Sequence, residues 1–128
     1  MEKLTAMKAD ARRALTTLAE ILNETYSVIV RDAAIQRFEY TFEVIWKLTS
    51  LHLKVTEGVV TNTPKGTFRK AFQAGLLDEN ETILALEMTD DRNRTVHTYH
   101  EAVATAIFER LPEFNRLMHN LEALISKG

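Results

Sequence analysis

Residues 35–54 read IQRFEYTFEVIWKLTSLHLK, and the spacing of polar and apolar residues in this stretch predicts the fold. Most positions in its middle are aliphatic or aromatic, and a single polar stripe runs along it. That stripe consists of Asp32, Gln36, Glu39, Glu43, Lys47, Ser50 and Lys54. A helix that is polar along one narrow stripe is packed on most of its other sides. We therefore predict a long helix over residues 27–57, part of which contacts a second subunit because one small domain offers few packing partners. Trp46 is interpreted as a core or dimer anchor rather than as a platform on which a base stacks.

The segments on both sides of this stretch also have helical periodicity. An apolar stripe predicts a first helix over residues 2–23, and its members are Leu4, Met7, Ala11, Leu15, Leu18 and Leu22. After the long helix, Thr63 followed by Pro64 is typical of the start of a short helix, which Gly75 ends.

Two further helices are predicted in the second half of the chain. Asp78 and Glu81 have the spacing of a capping box, and the helix that they begin is expected to extend to about Met88. The last helix is expected from about Thr98 to Ser126, because apolar residues recur at alternating spacings of four and three. Pro112 lies inside it and predicts a kink or a short break.

The composition limits the class of protein. At 128 residues, with 45% hydrophobic and 27% charged residues, the chain is long enough for one core, so we predict a single domain over residues 1–128. The expected fold is an all-α, up-and-down bundle of four to five helices. The absence of cysteine excludes disulfides and thiolate zinc sites. A net charge of −2 argues against a protein that coats nucleic acid by bulk electrostatics. No signal peptide or membrane span is expected, which favours a cytoplasmic location.

Residues 90–99 read DDRNRTVHTY and contain the densest group of chemically active side chains. Arg92 offers a permanent cation that can bind a phosphate, and a neutral imidazole at His97 can act as a general base. Arg94 and His100 form a second, competing pair in the same segment.

Arg92 and His97 can cooperate only if the helix breaks between them. Five residues correspond to about 140° around a continuous helix, so the two side chains would otherwise diverge. We expect one helix to end near Asp91 and the next to begin near His97. Thr95 as an N-cap, or Thr98 with Glu101 as a capping box, would support that break.

An ordinary interpretation of the same residues is also open. Arg92 can be a surface cation paired with Asp90 or Asp91, while His97 and Tyr99 serve only in packing. An Arg and a His at this spacing arise easily by chance, so the pair alone is a weak signal.

The wider pattern resembles a known family. Arg92-Asn93 followed by His97-Thr98-Tyr99 is similar to the Arg-x4-His-x-Tyr signature of the HEPN superfamily. The chain resembles, within it, the nucleotidyltransferase substrate-binding family over nearly its whole length. The segments that carry this likeness are residues 35–43, Trp46-Lys47, Thr63-Pro64-Lys65, residues 68–72, Gly75-Leu76-Leu77, Asp91-Arg92-Asn93 and His97-Thr98-Tyr99.

The resemblance implies a helical homodimer that works with a minimal nucleotidyltransferase encoded beside it. Members of this type are described either as substrate-binding subunits or as toxins with metal-independent endoribonuclease activity, so no metal or cofactor is expected. In the toxin interpretation, Arg92 and His97 are the catalytic pair that cuts RNA, and Asn93 is a polar support. Tyr99 is then the acceptor of AMP from the transferase, which acts as antitoxin.

The short third helix contains a second group of candidate residues. Lys65, Arg69 and Lys70 alternate with Phe68 and Phe72, and the three cations could contact a nucleotide or RNA. The pattern is more typical of an amphipathic helix whose aromatic residues are in the core and whose cations are in solvent, and we favour that interpretation.

Overall fold

The computed structural model describes residues 2–127, which form five α-helices and one short 3-10 helix. Their bounds are α1 Glu2–Leu22, α2 Val28–Glu57, α3 Pro64–Gln73, α4 Glu79–Arg94, the 3-10 helix Thr95–His97 and α5 Glu101–Lys127. No β-strand occurs within residues 2–127, and the predicted all-α bundle is confirmed. The single domain predicted over residues 1–128 includes Met1 and Gly128, which lie outside the described residues.

The long helices α1, α2 and α5 lie side by side, and α2 and α5 are parallel because Arg31 contacts Glu101 and Phe38 contacts Phe114. Thr41 of α2 donates to the carbonyl of Ala14 over 3.3 Å, and Arg37 donates to the carbonyl of Thr17 over 2.7 Å, so α1 and α2 are antiparallel. α5 packs along α2, with Phe114 stacked on Phe38 at a ring separation of 5.6 Å. α3 and α4 connect the two and pack against them.

Aromatic side chains from three helices form the centre of the core. Phe38 and Phe42 of α2, Phe68 of α3 and Phe114 of α5 are all essentially inaccessible to solvent. Phe42 meets Phe68 edge to face, with ring centroids 6.1 Å apart. Full burial of each such side chain contributes roughly 1.5–3 kcal/mol to stability. The middle of α2 therefore holds α3 and α5 against the same core.

The chain itself buries most of the apolar residues between Ile35 and Leu53 of α2. Its buried positions are Arg31, Ala34, Ile35, Phe38, Thr41, Phe42, Ile45, Leu48, Thr49 and Leu53. The apolar residues that remain partly accessible in its middle are Tyr40, Val44, Trp46 and Leu51. Packing within one chain thus accounts for most of the apolar pattern, and the contact with a second subunit stays a prediction.

The helix starts follow local signals in the sequence. Thr63 Oγ1 accepts from the backbone N–H of Gly66 at 3.1 Å, with Pro64 in the first turn, as predicted. Asp78 and Glu81 form the predicted reciprocal capping box at 2.7 and 3.0 Å. At the end of α2, Gly58 adopts a left-handed φ of 68°, a conformation that other residues rarely adopt.

Two predicted boundaries are wrong. α4 extends to Arg94 rather than to about Met88, and α5 begins at Glu101 rather than at about Thr98. α5 is also one uninterrupted helix through Pro112, so the short break expected there does not occur. Pro112 lies on the exposed side, where solvent can bind the carbonyl group that loses its helical partner, while the neighbouring Leu111 is buried.

Candidate functional site

The segment that is densest in reactive groups spans the corner between α4 and α5. Arg92 and Asn93 lie in the last turn of α4, His97 ends the 3-10 helix, and Tyr99 lies in the turn before α5. The predicted break between Arg92 and His97 therefore exists. α4 ends at Arg94, three residues after Asp91, the end that cooperation between Arg92 and His97 was expected to require.

Two threonine hydroxyl groups shape this corner. Thr95 Oγ1 donates to the carbonyl of Arg92 at 2.7 Å, and Thr98 Oγ1 donates to the carbonyl of Thr95 at 3.1 Å. Both hydroxyls thus satisfy carbonyl groups at the C-terminal end of α4 and in the 3-10 helix that follows it. The predicted roles of Thr95 as an N-cap, and of Thr98 with Glu101 as a capping box, are wrong. The carboxylate of Glu101 is instead bound by Arg31.

Arg31 fixes the beginning of α5. This side chain is only 3% exposed, and its guanidinium donates to both carboxylate oxygens of Glu101 at 2.6 and 3.3 Å. Its hydrogen bonds to Glu101 and Asp32 raise the pKa of Arg31, and the contact with Arg31 lowers the pKa of Glu101. A buried cation with these partners ties the residue that follows the corner to the first turns of α2.

Arg92 faces α2 across a shallow depression. Its guanidinium is 3.5 Å from the carboxylate of Glu43, its side chain is 26% exposed, and its Nε atom is buried without a hydrogen-bond partner. The depression has a volume of about 400 Å³ and is otherwise lined by Gln36, Glu39 and Tyr40. We call this the Arg92 depression.

The alternative partners expected for Arg92 are engaged elsewhere. Asp90 forms an ion pair with Lys65 at 2.6 Å, and Asp91 pairs with Arg94 at 3.2 Å. Burial raises the pKa of Asp91, which Arg110 and Arg94 partly offset. Arg92 is thus not held by its sequence neighbours, and Glu43, from α2, takes that role.

His97 and Tyr99 form a separate, exposed pair. Nδ1 of His97 lies 3.2 Å from the phenol oxygen of Tyr99, and the Tyr99 side chain is 73% exposed. The ring of Tyr99 also packs against His100, with centroids 4.4 Å apart. Within residues 2–127, no hydrogen bond or ion pair joins His97 to Arg92, and His97 does not line the Arg92 depression. The chain by itself therefore joins His97 to Tyr99 and leaves Arg92 apart.

The other predicted residues of this segment are Asn93 and the competing pair Arg94 and His100. Asn93 is exposed, and no hydrogen bond of its side chain is seen in the described part of the chain. In the competing pair, Arg94 is bound to Asp91 and His100 stacks on Tyr99.

On α3, Phe68 is fully buried, and Phe72 is 45% exposed. Lys70 donates to Gln73 at 3.2 Å, while Lys65 is bound to Asp90. Arg69 is exposed, without an ion pair among residues 2–127. The three cations share no common partner in this part of the chain, which fits the amphipathic interpretation, but its placement of Phe72 in the core is wrong.

Glu43 is the residue of this site that sequence reasoning missed. Its carboxylate contacts Arg92 and Lys47, each at 3.5 Å, and accepts from the indole N–H of Trp46 at 3.4 Å. The spacing of Glu43 and Lys47 does predict their ion pair. No local pattern connects Glu43 to an arginine so far along the chain, so only the fold identifies this contact.

Within residues 2–127, no group of three or more His, Cys, Asp or Glu side chains is arranged to hold a metal ion. None of the helices in this part of the chain is both long and apolar enough to cross a membrane.

Comparison with known proteins identifies relatives of the chain. Residues 8–127 match the family model described as "nucleotidyltransferase substrate binding protein like". A crystal structure of a Thermus thermophilus protein is 50% identical in sequence, with a TM-score of 0.87, over 90% of this chain and 98% of the other. A Haemophilus influenzae protein, described as having the fold of a substrate binding domain of a nucleotidyltransferase, is 19% identical. Its TM-score is 0.63 over 98% of both chains, which shows a shared fold. Curated protein sequences give no significant match.

Proposed function

The chain belongs to the family of nucleotidyltransferase substrate binding protein-like proteins, and from that membership we propose that it is the substrate-binding subunit of a two-component nucleotidyltransferase. A separate nucleotidyltransferase chain supplies the transfer chemistry. This chain holds the acceptor molecule in a position that the transferase can reach.

The observation that carries this proposal is the state of Arg92. Its Nε is buried without a partner, while its ion pair with Glu43 at 3.5 Å is longer than a strong charge-assisted hydrogen bond. The terminal amino groups of this partly exposed guanidinium have donor capacity for an anionic or carbonyl-bearing group of a substrate, whereas the buried Nε is inaccessible to it. Because Glu39 and Glu43 also line the depression, a bound anion must displace Glu43 from Arg92.

The experiment uses the chain together with its nucleotidyltransferase partner, which the family resemblance implies to be encoded beside it. Light scattering of the mixture should show a stable complex, and pyrophosphate release from ATP should be faster with this chain than without it. Arg92→Gln should lower the stimulated rate about tenfold or more, since a charged hydrogen-bond donor is lost. The matched control is Arg116→Gln, which removes an exposed arginine of α5. Absence of a complex, or equal stimulation by Arg92→Gln, contradicts the proposal.

The exposed pair of His97 and Tyr99 favours a second candidate function. In it, the chain is an endoribonuclease toxin that acts as a homodimer, and its partner silences it by adding AMP to Tyr99. The phenol oxygen of Tyr99 attacks the α-phosphate of ATP, an O–P bond forms, and pyrophosphate leaves. His97 Nδ1, 3.2 Å away, is placed to accept the phenol proton. The accessibility of Tyr99 supports this role, since a partner enzyme must reach it.

RNA cleavage in this second candidate requires both Arg92 and His97. RNA supplies its own nucleophile, the 2′-hydroxyl group, so a base and a cation suffice for the reaction. Since one chain leaves Arg92 and His97 apart, a second subunit must complete the site, with Asn93 as a polar support. AMP on Tyr99 would then place charge and volume beside His97.

Two measurements separate this candidate from the first. Purified chain is incubated with RNA in the presence of a chelator, next to His97→Ala, and cleavage that the variant loses supports the nuclease. Mass spectrometry after incubation with the partner and ATP should show added AMP on wild-type chain and none on Tyr99→Phe. Intact RNA with a well-folded dimer rules out the nuclease and leaves the substrate-binding proposal standing.

A further inference from the structure

A second cavity lies at the opposite end of the polar stripe of α2. It has a volume of about 400 Å³, and three of its lining residues are lysines: Lys3 from α1 and both Lys47 and Lys54 from α2. Among the described residues that line it, none has a carboxylate side chain. Within residues 2–127, Lys3 and Lys54 form no ion pair, and only Lys47 has one, with Glu43 at 3.5 Å. We call this cavity the lysine pocket.

One wall of the lysine pocket is apolar and aromatic. Met7, Trp46 and Leu51 form it, together with Val60 from the connection after α2. Trp46 packs partly against the core, but it is only half-buried and lines the cavity, so it is not solely the anchor that the sequence suggested. Its indole N–H donates to Glu43 at 3.4 Å, which fixes the orientation of the ring. An indole in such a wall offers a π-surface for an aromatic ligand.

Hydroxyl groups hold in place the connection after α2, which forms another wall of the lysine pocket. Thr67 donates to Thr61 at 2.7 Å, and Thr61 donates to Ser50 of α2 at 2.8 Å. Ser50 in turn donates to the carbonyl of Thr61 at 3.2 Å. The connection between α2 and α3 is thus held against α2 by the chain's own contacts. Asn62, next in the chain, lines the pocket and makes no side-chain hydrogen bond within the described residues, so its amide is available to a ligand.

These walls together select a ligand with an aromatic part and several negative charges. Lys47 and Lys54 are seven residues apart, which places them about 10 Å from each other along one face of α2. A row of phosphates has a comparable length, and Lys3 adds a third cation from α1. Pockets for small ligands have volumes of roughly 300–1,000 Å³, so the cavity suits one nucleotide rather than a structured nucleic acid.

We propose that the lysine pocket binds a mononucleotide, with its base against Trp46 and Asn62 and its phosphates on Lys3, Lys47 and Lys54. This site is separate from Arg92, His97 and Tyr99, and it does not depend on the function proposed for them. It also differs from the cationic face of α3, which holds Lys65, Arg69 and Lys70.

The test follows the fluorescence of Trp46, the single tryptophan of the chain, during titration of the purified protein with ATP. Saturable quenching is expected. The double variant Lys47→Met with Lys54→Met should weaken ATP binding about tenfold or more, because two charged contacts are lost and the apolar stems are kept. The matched control, Arg13→Met with Arg116→Met, removes two exposed cations elsewhere and should bind as wild type does.

Three further arms decide the nature of the ligand and its location. Tripolyphosphate alone should bind clearly more weakly than ATP; equal binding would show a simple anion site and overturn the nucleotide assignment. A double variant Lys65→Met with Lys70→Met tests the rival face on α3, and if it loses ATP binding while the Lys47 and Lys54 variant keeps it, the proposal is wrong. Absence of quenching and of binding heat at millimolar ATP, or binding only of an RNA oligomer, also overturns it. Circular dichroism of each variant verifies that it is folded.

Discussion

The two halves of the polar stripe on α2 have opposite charges and different surroundings. The first half, with Glu39 and Glu43, faces Arg92, and the carboxylate of Glu43 pairs with that cation. The second half, with Lys47 and Lys54, faces a cavity that no carboxylate of residues 2–127 lines. One continuous helix thus presents a site whose cation has an acidic partner and a site in which only Lys47, of three lysines, has one among residues 2–127. A single polar stripe, uniform as a pattern of hydropathy, therefore contains two surfaces of opposite charge.

Both surfaces depend on the same core, and the largest expected effect comes from removing part of it. Phe42→Ala leaves a cavity between α2 and α3, which should lower the free energy of unfolding by about 3–5 kcal/mol. Urea titration followed by circular dichroism and by Trp46 fluorescence should give coincident transitions. Transitions that separate by probe would show that the two halves of α2 unfold independently. Phe72→Ala, at a 45% exposed position of α3, is the control and should change stability far less.

Lowering the pH should affect the two halves of α2 differently, because within residues 2–127 only the first half is held to the rest of the fold by ion pairs with a carboxylate, among them that of Arg31 with Glu101. The contact with Arg31 lowers the pKa of Glu101 in the folded chain, so its stabilisation is complete above the ordinary carboxyl pKa and is lost as the pH falls through the folded value. Burial raises the pKa of Asp91, so the contribution of Asp91 to stability changes with pH in the opposite direction. This contribution is present at low pH and is lost as the pH rises.

Stability measured between about pH 3 and pH 7 checks both signs, since ordinary carboxyl pKa values lie near 4. Glu101→Gln should flatten the rise of unfolding free energy with pH, whereas Asp91→Asn should steepen it. The same direction of change in both variants would contradict the assignment. The hydroxyl contacts among Ser50, Thr61 and Thr67 do not titrate in this range. The protection of backbone amides against hydrogen exchange should therefore change less with pH in the connection after α2 than at the start of α5.

The smallest expected effect concerns Glu43, which lies where the two halves meet. Glu43→Gln removes the negative charge that contacts both Arg92 and Lys47. Stability should change by less than about 1 kcal/mol, since both ion pairs are partly exposed. ATP affinity at the lysine pocket should increase roughly two- to fivefold, because one lysine loses its competing partner. Glu39→Gln is the control; Glu39 has no ion pair within residues 2–127, and an equal gain there would show only a general change of surface charge.

Much of the fold follows from local sequence. The polar stripe predicts a helix over residues 27–57, and α2 is Val28–Glu57. The two differ only at the start, where Ser27 is the N-cap. Thr63 with Pro64, and Asp78 with Glu81, also act as their spacing predicts. These signals succeed because a cap or an amphipathic face depends on neighbours within one or two turns.

The parts that could not be predicted depend on contacts between distant residues or on the choice of hydrogen-bond role. A threonine hydroxyl can donate or accept, so sequence alone does not reveal that Thr95 and Thr98 donate to carbonyl groups before them rather than cap α5. The ion pair of Arg92 with Glu43 joins α4 to α2. The lysine pocket joins Lys3 to Lys47 and Lys54 across two helices. Neither arrangement has a periodic signature.

A chemical-shift map of the ¹⁵N-labelled chain during addition of ATP decides whether the basic half of α2 is a nucleotide site. The largest shifts should occur at the indole N–H of Trp46, at the amides of residues 47–54 and at those of residues 60–62, with little change over residues 90–99. Shifts concentrated at residues 90–99 or on α3 at residues 65–70, with none near Trp46, would contradict it.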